Sequence, residues 1–95
     1  MYESLSKLSA YYSQDFETIF ESKTEPIDAF CEMYELDEQK QLVSDMELFL
    51  KEVVAGTKNA NDLTRMGMEY NQSLGGSWDW FREAIAYLKK KIAEG

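Results

Sequence analysis

The chain has 95 residues, the length of one small domain. Hydrophobic residues make up 44% of it, and no apolar run approaches the ~20 residues of a transmembrane helix, so we expect no membrane span. There is no histidine and one cysteine, Cys31, which excludes a Cys/His zinc site and an internal disulfide. The first nine residues lack a basic stretch leading into an apolar one, so no signal peptide is expected. These features predict a cytoplasmic domain without metal or other cofactor.

Charge is distributed unevenly along the chain. It carries 18 acidic and 10 basic residues, a net charge of −8, and residues 15–38 hold nine acids against Lys23 alone. An acidic segment of this kind repels nucleic acid and anionic membranes, and it attracts a basic partner. The alternative is that the charge serves solubility alone. The one basic cluster, Lys89 to Lys91, lies near the end of a predicted helix, where positive charge suits the helix dipole.

Apolar residues recur at three- and four-residue spacing through most of the chain, which is typical of amphipathic helices. The first helix is predicted from Tyr2 to Tyr12, and it either breaks near Asp15 or continues to Phe20. The second begins with Thr24 as N-cap and has Pro26 in its first turn, where the missing N–H costs nothing. Its apolar stripe consists of Ile27, Phe30, Cys31 and Tyr34.

The third predicted helix is long and central. Asp37 is its predicted N-cap, and Gly56 fits the C′ position just beyond its end. Leu48 falls on the opposite, polar face. The apolar stripe repeats over about three turns and comprises Leu42, Val43, Met46, Phe49, Leu50, Val53 and Val54.

The last third of the chain predicts two more helices. A short helix is capped by Asn59 or Asn61, with Leu63, Met66 and Tyr70 facing inward. Residues 71–76 are predicted to form a loop, because they end in two glycines. Ser77 then caps a final helix whose buried stripe is Trp78, Phe81, Ile85, Leu88 and Ile92. The predicted fold is all-α, a compact single-domain bundle of four to five helices spanning residues 1–95.

Catalytic motifs are weak in this sequence. Without histidine the commonest general base is missing, and no glycine-rich phosphate loop is present. Asp15 and Glu17 are the nearest pair of carboxylates, and nothing else supports a pocket around them. Cys31 lies on an apolar stripe and is interpreted as a core residue. We therefore predict that the protein is not an enzyme.

Two sets of side chains are candidate binding residues. The first is a series of carboxylates in and around the second helix, where like charges at i,i+3 and i,i+4 cost a few tenths of a kcal/mol each; a solvated face is the alternative. This set is Glu21, Glu25, Asp28, Glu32, Glu35 and Glu38. The second is Trp80 and Tyr87, seven residues apart on the last helix. Either that helix is buried on two sides, or these two rings are exposed interface anchors.

The order of motifs resembles the helical CdiI-type immunity proteins of bacterial contact-dependent growth inhibition. That family opens with an aromatic pair followed by Gln-Asp-aromatic, and residues 11–16 (Tyr-Tyr-Ser-Gln-Asp-Phe) match this pattern. The later matches are Glu25-Pro26 with Phe30, the long helix from Leu42 to Val54, the series Leu63, Gly67, Tyr70, and Trp78-Asp79-Trp80-Phe81. Ser13 replaces a usual His and Phe16 a usual Trp, so Gln14 and Asp15 are interpreted as scaffold.

The resemblance implies a cognate partner. Such proteins bind the C-terminal toxin domain of a CdiA-type effector in the cytoplasm, and many of these toxins are nucleases with a basic surface. The carboxylates would pair with that surface, and the aromatic side chains would add slow dissociation. We expect a monomer or weak dimer with no direct contact to nucleic acid. The alternatives are an acidic helical adaptor or nucleic-acid mimic that binds a basic host protein, and an enzyme that uses Asp15 and Glu17.

Overall fold

A computed structural model describes residues 2–12, 22, 24–69 and 71–94. Within these residues the chain forms five α-helices and two short 3-10 helices, and no strand. The α-helices are α1 (Glu3–Ser9), α2 (Glu25–Met33), α3 (Leu36–Val54), α4 (Ala60–Arg65) and α5 (Asp79–Glu94). The 3-10 helices are Ala10–Tyr12 and Gln72–Gly75. The predicted all-α bundle is confirmed.

Helix α3 is the centre of the bundle, as predicted. It packs against α1 on one side and α5 on another, while α2 closes against α1 and α3. Phe49 is fully buried at the middle of this packing, with the rings of Tyr2, Trp78 and Phe81 at 5.6, 5.9 and 5.9 Å between centroids. These aromatic contacts fix how α1 and α5 dock on α3, because each ring buries a large area and prefers tilted or edge-on neighbours.

The ends of α3 differ in how well the sequence predicted them. The predicted N-cap, Asp37, is wrong: Glu35 occupies that position and Asp37 lies in the first turn. The C-terminal prediction is confirmed, since Gly56 has φ 86°. Its N–H donates to the Val53 carbonyl at 3.0 Å, and the Thr57 N–H donates to the Glu52 carbonyl at 2.9 Å. This pair of bonds is a Schellman motif, which satisfies the last carbonyls of the helix.

Val54 was predicted to be buried, and it is 74% exposed. At about 100° per residue it lies ~120° from Leu42, at the edge of the apolar stripe. The stripe therefore continues onto the surface beside α5. Leu48 is exposed on the far face, as predicted.

Helix α1 has no capping side chain of its own. Tyr2 precedes it in the left-handed region at φ 64°, and it makes no side-chain cap. The cap comes instead from α3: Asp45 Oδ2 accepts from the backbone N–H groups of Ser4 and Leu5 at 3.1 and 3.2 Å. Asp45 is only 5% exposed, and Gln41 donates to its other oxygen at 2.9 Å. A carboxylate buried between α3 and α1 is thus satisfied by the start of α1.

The helix caps after residue 56 are local. Asn59 caps α4 in a reciprocal capping box with Asp62, which decides between the two predicted caps. Residues 72–75 form a 3-10 helix rather than an irregular loop, because the Asn71 side chain accepts from the Ser73 N–H at 3.0 Å. The Ser77 hydroxyl accepts from the Asp79 N–H at 3.3 Å, as a capping side chain does, although the Trp78 carbonyl accepts the first bonds of the helix.

Thr24 stands at the N-cap position of α2, but its side chain makes no capping bond. Its carbonyl accepts from the N–H groups of Ile27 and Asp28. Several other predictions fall on residues outside those that the structure describes. These are the extension of the first helix through Asp15 to Phe20, the inward position of Tyr70, and the scaffold role of Gln14 and Asp15.

Candidate functional site

The predicted carboxylates of α2 and α3 fall into two groups, and Asp28 belongs to the first. Its Oδ1 accepts a hydrogen bond from the Tyr87 hydroxyl at 2.7 Å and lies 2.8 Å from Lys91 Nζ. Partial burial raises the pKa of the Asp28 carboxyl, but the hydrogen bonds from Lys91 and Tyr87 outweigh burial and hold that pKa below its usual range. Asp28 therefore fastens α2 to α5.

Glu38 also belongs to this first group. Its carboxylate accepts from Lys7 and from the Ser4 hydroxyl, so it fastens the first turn of α3 to α1. These bonds lower the pKa of the Glu38 carboxyl. Glu25 accepts from the Ser22 backbone N–H at 2.9 Å. The carboxylates of this group, which we call the tied acids, are Glu25, Asp28, Glu38 and the buried Asp45.

The second group lies where α2 meets α3. Glu32, Glu35 and Asp37 are exposed, and their side chains make no hydrogen bond or ion pair within the described ranges 2–12, 22, 24–69 and 71–94. Between them Met33 is 68% exposed and Leu36 is 45% exposed. We call these five residues the acidic corner: Glu32, Met33, Glu35, Leu36 and Asp37. The corner thus combines exposed apolar surface with negative charge that has no partner within the described residues.

The position of the acidic corner is fixed by contacts between α2 and α3. The chain leaves α2 through two extended residues, Tyr34 and Glu35. The Gln39 side-chain amide donates to the Cys31 carbonyl at 3.1 Å and the Tyr34 carbonyl at 2.9 Å. The Tyr34 ring packs on Phe30 with centroids 4.6 Å apart. These contacts satisfy carbonyls at the end of α2 and fix the angle at which the corner is presented.

The aromatic candidates lie mainly inside the bundle. Trp80 is 9% exposed and its Nε1 donates to the Ser73 hydroxyl at 2.7 Å. Tyr87 is half-buried and bonded to Asp28. The alternative that the last helix is buried on two sides is therefore the correct one. Glu21 lies outside the described residues, and the binding role of all the candidates stays a prediction.

Cys31 packs against the core and is half-buried. Burial raises the pKa of its thiol, which keeps it protonated and weakly nucleophilic. Among the residues that the structure describes, no group of three or more His, Cys, Asp or Glu side chains is arranged to hold a metal ion. In the same part of the chain, no helix combines the length and apolar character needed to cross a membrane.

Sequence reasoning missed Met33, Leu36, Gln39 and Asp45. The exposure of Met33 could have been predicted, because at 100° per residue it lies ~240° from Ile27 and therefore outside the apolar stripe of α2. Asp45 had no such signal: it lies ~60° from Leu42 on the side away from Met46 and Val53, beyond the edge of the apolar stripe, so helical periodicity did not place it in the interior. Gln39 had none, since its two acceptors depend on the angle between α2 and α3.

The chain was compared with known protein families, curated proteins and solved structures. A family model described as CdiI immunity protein matches residues 2–88. Neither the curated proteins nor the solved structures give a match.

Proposed function

Because the chain belongs to the CdiI immunity protein family, whose members neutralise toxins of contact-dependent inhibition, we propose that it binds its cognate toxin through the acidic corner. The toxin would be the C-terminal domain of a CdiA-type effector with nuclease activity, met in the cytoplasm. Neutralisation would be by steric and electrostatic blocking, without chemistry. The chain itself would not contact nucleic acid.

One observation supports the acidic corner over the other candidate residues as the toxin-binding site. The tied acids already have partners inside the bundle, whereas Glu32, Glu35 and Asp37 are exposed and unpaired within the described residues. A nuclease needs positive charge where it holds the phosphate backbone. The corner offers the complementary charge at the turn between α2 and α3, on side chains that are exposed.

Met33 and Leu36 give the corner a second means of binding. Exposed carboxylates steer association, but solvent screens them, and they contribute little to holding a complex together. Two large apolar side chains surrounded by charged ones resemble the core and rim of an interface. We therefore assign fast, salt-dependent association to the carboxylates and slow dissociation to the apolar pair. In this proposal Trp80 and Tyr87 stabilise the fold and do not bind the toxin.

The charge on the corner is tested by reversing Glu32, Glu35 and Asp37 to Lys together. Association with the toxin domain encoded beside this chain is expected to slow about tenfold or more at low salt, with a flatter salt dependence. Stopped-flow fluorescence measures both. The matched control reverses Glu69, Asp79 and Glu83, which are exposed and lie outside the corner; it changes the net charge equally. Equal rates for the two triple variants would contradict the proposed location.

The neutralising function has its own test. Cells expressing the toxin domain are expected to survive only when this protein is expressed with it. The control triple variant should protect fully, and the corner variant should protect less. Death of cells in the presence of the unaltered protein would reject the function, whatever the kinetics show.

A further inference from the structure

A groove runs between α3 and α5, away from the acidic corner. It has a volume of about 460 Å³ and is open to solvent. It is lined by Glu47, Leu50, Lys51, Val54, Arg82 and Ile85. Leu50 and Ile85 form its apolar floor, and the exposed Val54 stands at its edge. This is where the apolar stripe of α3 reaches the surface.

The charged side chains at the groove favour an acidic occupant. Lys51 is exposed and has no acidic partner within the described ranges. Arg82 reaches Asp79 only at 3.6 Å and stays half-exposed. Glu47 is paired with Lys89 at 2.7 Å, which neutralises the one carboxylate of the lining. In a chain of net charge −8, this is an apolar strip with cations at its rim, so it fits apolar side chains flanked by carboxylates.

The acidic corner of the same chain has that composition. Met33 and Leu36 are its exposed apolar side chains, and three carboxylates flank them. The corner lies at the turn between α2 and α3, and the groove lies between α3 and α5. Leu36 begins α3 and Val54 ends it, so their Cα atoms lie about 27 Å apart along the helix. The two surfaces therefore cannot meet within one chain.

We propose that the groove of one copy binds the acidic corner of a second copy, giving weak head-to-tail self-association. The contact is heterologous, so each copy in a pair keeps one unused groove or corner. Because only two apolar side chains are buried, the contact is expected to be weak, with a dissociation constant on the order of 1 mM. Repulsion between two chains of net charge −8 opposes the contact at low salt, and is screened over about 8 Å at physiological salt.

Self-association would occupy the corner while no toxin is present. If the corner is also the toxin contact, a point that rests on the proposed function, the toxin displaces the second copy. Self-association is measured without toxin, so its failure and the failure of the proposed function are distinguishable.

The test is sedimentation velocity on the full chain from about 0.05 to about 2 mM, concentrations that bracket the expected dissociation constant. At ~0.15 M salt the weight-average mass is expected to roughly double over this range. Val54→Glu blocks the groove and Met33→Glu blocks the corner, so each variant alone is expected to stay monomeric. Leu48→Glu, on the far face of α3, is the control and should associate as the unaltered chain does.

Mixing the two blocked variants gives the sharpest result. Val54→Glu keeps an intact corner and Met33→Glu keeps an intact groove, so the mixture is expected to form dimers and nothing larger. Both substitutions are at exposed positions, and circular dichroism verifies that each variant is folded. A monomeric unaltered chain at the highest concentration overturns the proposal. A mixture that stays monomeric also overturns it, because an intact groove and an intact corner would then be present together without binding.

Discussion

Asp28 and Glu32 lie one turn apart on α2, and their carboxylates have different surroundings. Asp28 holds Tyr87 and Lys91 of α5, whereas Glu32 faces solvent with no partner within the described residues. The same contrast separates Glu38, bonded to Lys7 and Ser4, from Asp37 beside it. One acidic stretch of sequence thus contains residues that hold the bundle together and residues that are available to a partner.

This division changes how the acidic surplus is interpreted. A carboxylate tied by hydrogen bonds to cations and backbone N–H groups contributes to folding, because breaking the pair leaves a partly buried group without its partner. An exposed, unpaired carboxylate contributes little to folding. Its removal should affect a partner far more than the fold. Substituting one residue from each group separates the two roles.

The largest expected difference is between Asp45→Ala and Glu35→Ala. Removing the Asp45 carboxylate leaves the N–H groups of Ser4 and Leu5 without their acceptor in the interior. We expect a loss of about 2–3 kcal/mol in the free energy of unfolding. Glu35→Ala should change it by less than about 0.5 kcal/mol. Urea denaturation followed by circular dichroism measures both. Equal losses would show that the distinction between tied and exposed acids is wrong.

A smaller effect is expected from Gln39→Met, which removes the donor behind the acidic corner and keeps the side-chain length. The carbonyls of Cys31 and Tyr34 lose a hydrogen bond each, and the expected cost is about 1 kcal/mol. Amide hydrogen exchange should quicken at residues 34–38 and stay unchanged in the middle of α5. Ser44→Ala, exposed on the same helix, is the control. Uniformly faster exchange would mean that Gln39 supports the whole fold and not the corner.

The smallest effect is a pH dependence that distinguishes Asp28 from Glu32. The folded-state pKa of Asp28 is lowered, so its contribution to stability is present above its unfolded pKa of about 3.9 and is lost as pH falls through the folded value. Asp28→Asn is expected to be less stable than the unaltered chain at neutral pH, and the gap should narrow below about pH 4. Urea titrations between neutral and acidic pH measure the gap. Glu32→Gln is the matched control, and at neutral pH it is expected to be as stable as the unaltered chain. A constant gap for Asp28→Asn would contradict its assignment as a tied acid.

Much of the fold could be predicted from the sequence because its determinants are local. Gly56, Asn59 and Ser77 lie next to the helix ends that they fix, and the apolar period of α3 identifies the central helix. Where local rules left two choices, tertiary packing decided. Trp80 and Tyr87 lie off the main apolar stripe of α5. In the folded bundle Trp80 is nevertheless buried and Tyr87 is half-buried.

The candidate site was harder to predict because it depends on partners far away in sequence. Asp28 and Tyr87 are 59 positions apart, and Lys7 and Glu38 are 31 apart. Helical periodicity places carboxylates on one face but does not show which of them meet a lysine from another helix. The sequence therefore located the acidic stretch, and only the packing separated Asp28 and Glu38 from Glu32 and Glu35.

The carboxylate that completes α1 has a consequence for synthesis of the chain. With seven residues, α1 is far shorter than the ~12–15 at which an isolated helix becomes even marginally stable in water. Its first N–H groups find their acceptor 41 positions downstream, on Asp45. During synthesis the α1 segment must therefore wait, without a stable helix of its own, until the middle of α3 has emerged from the ribosome. In a newly made copy α1 is therefore completed only after synthesis has passed Asp45.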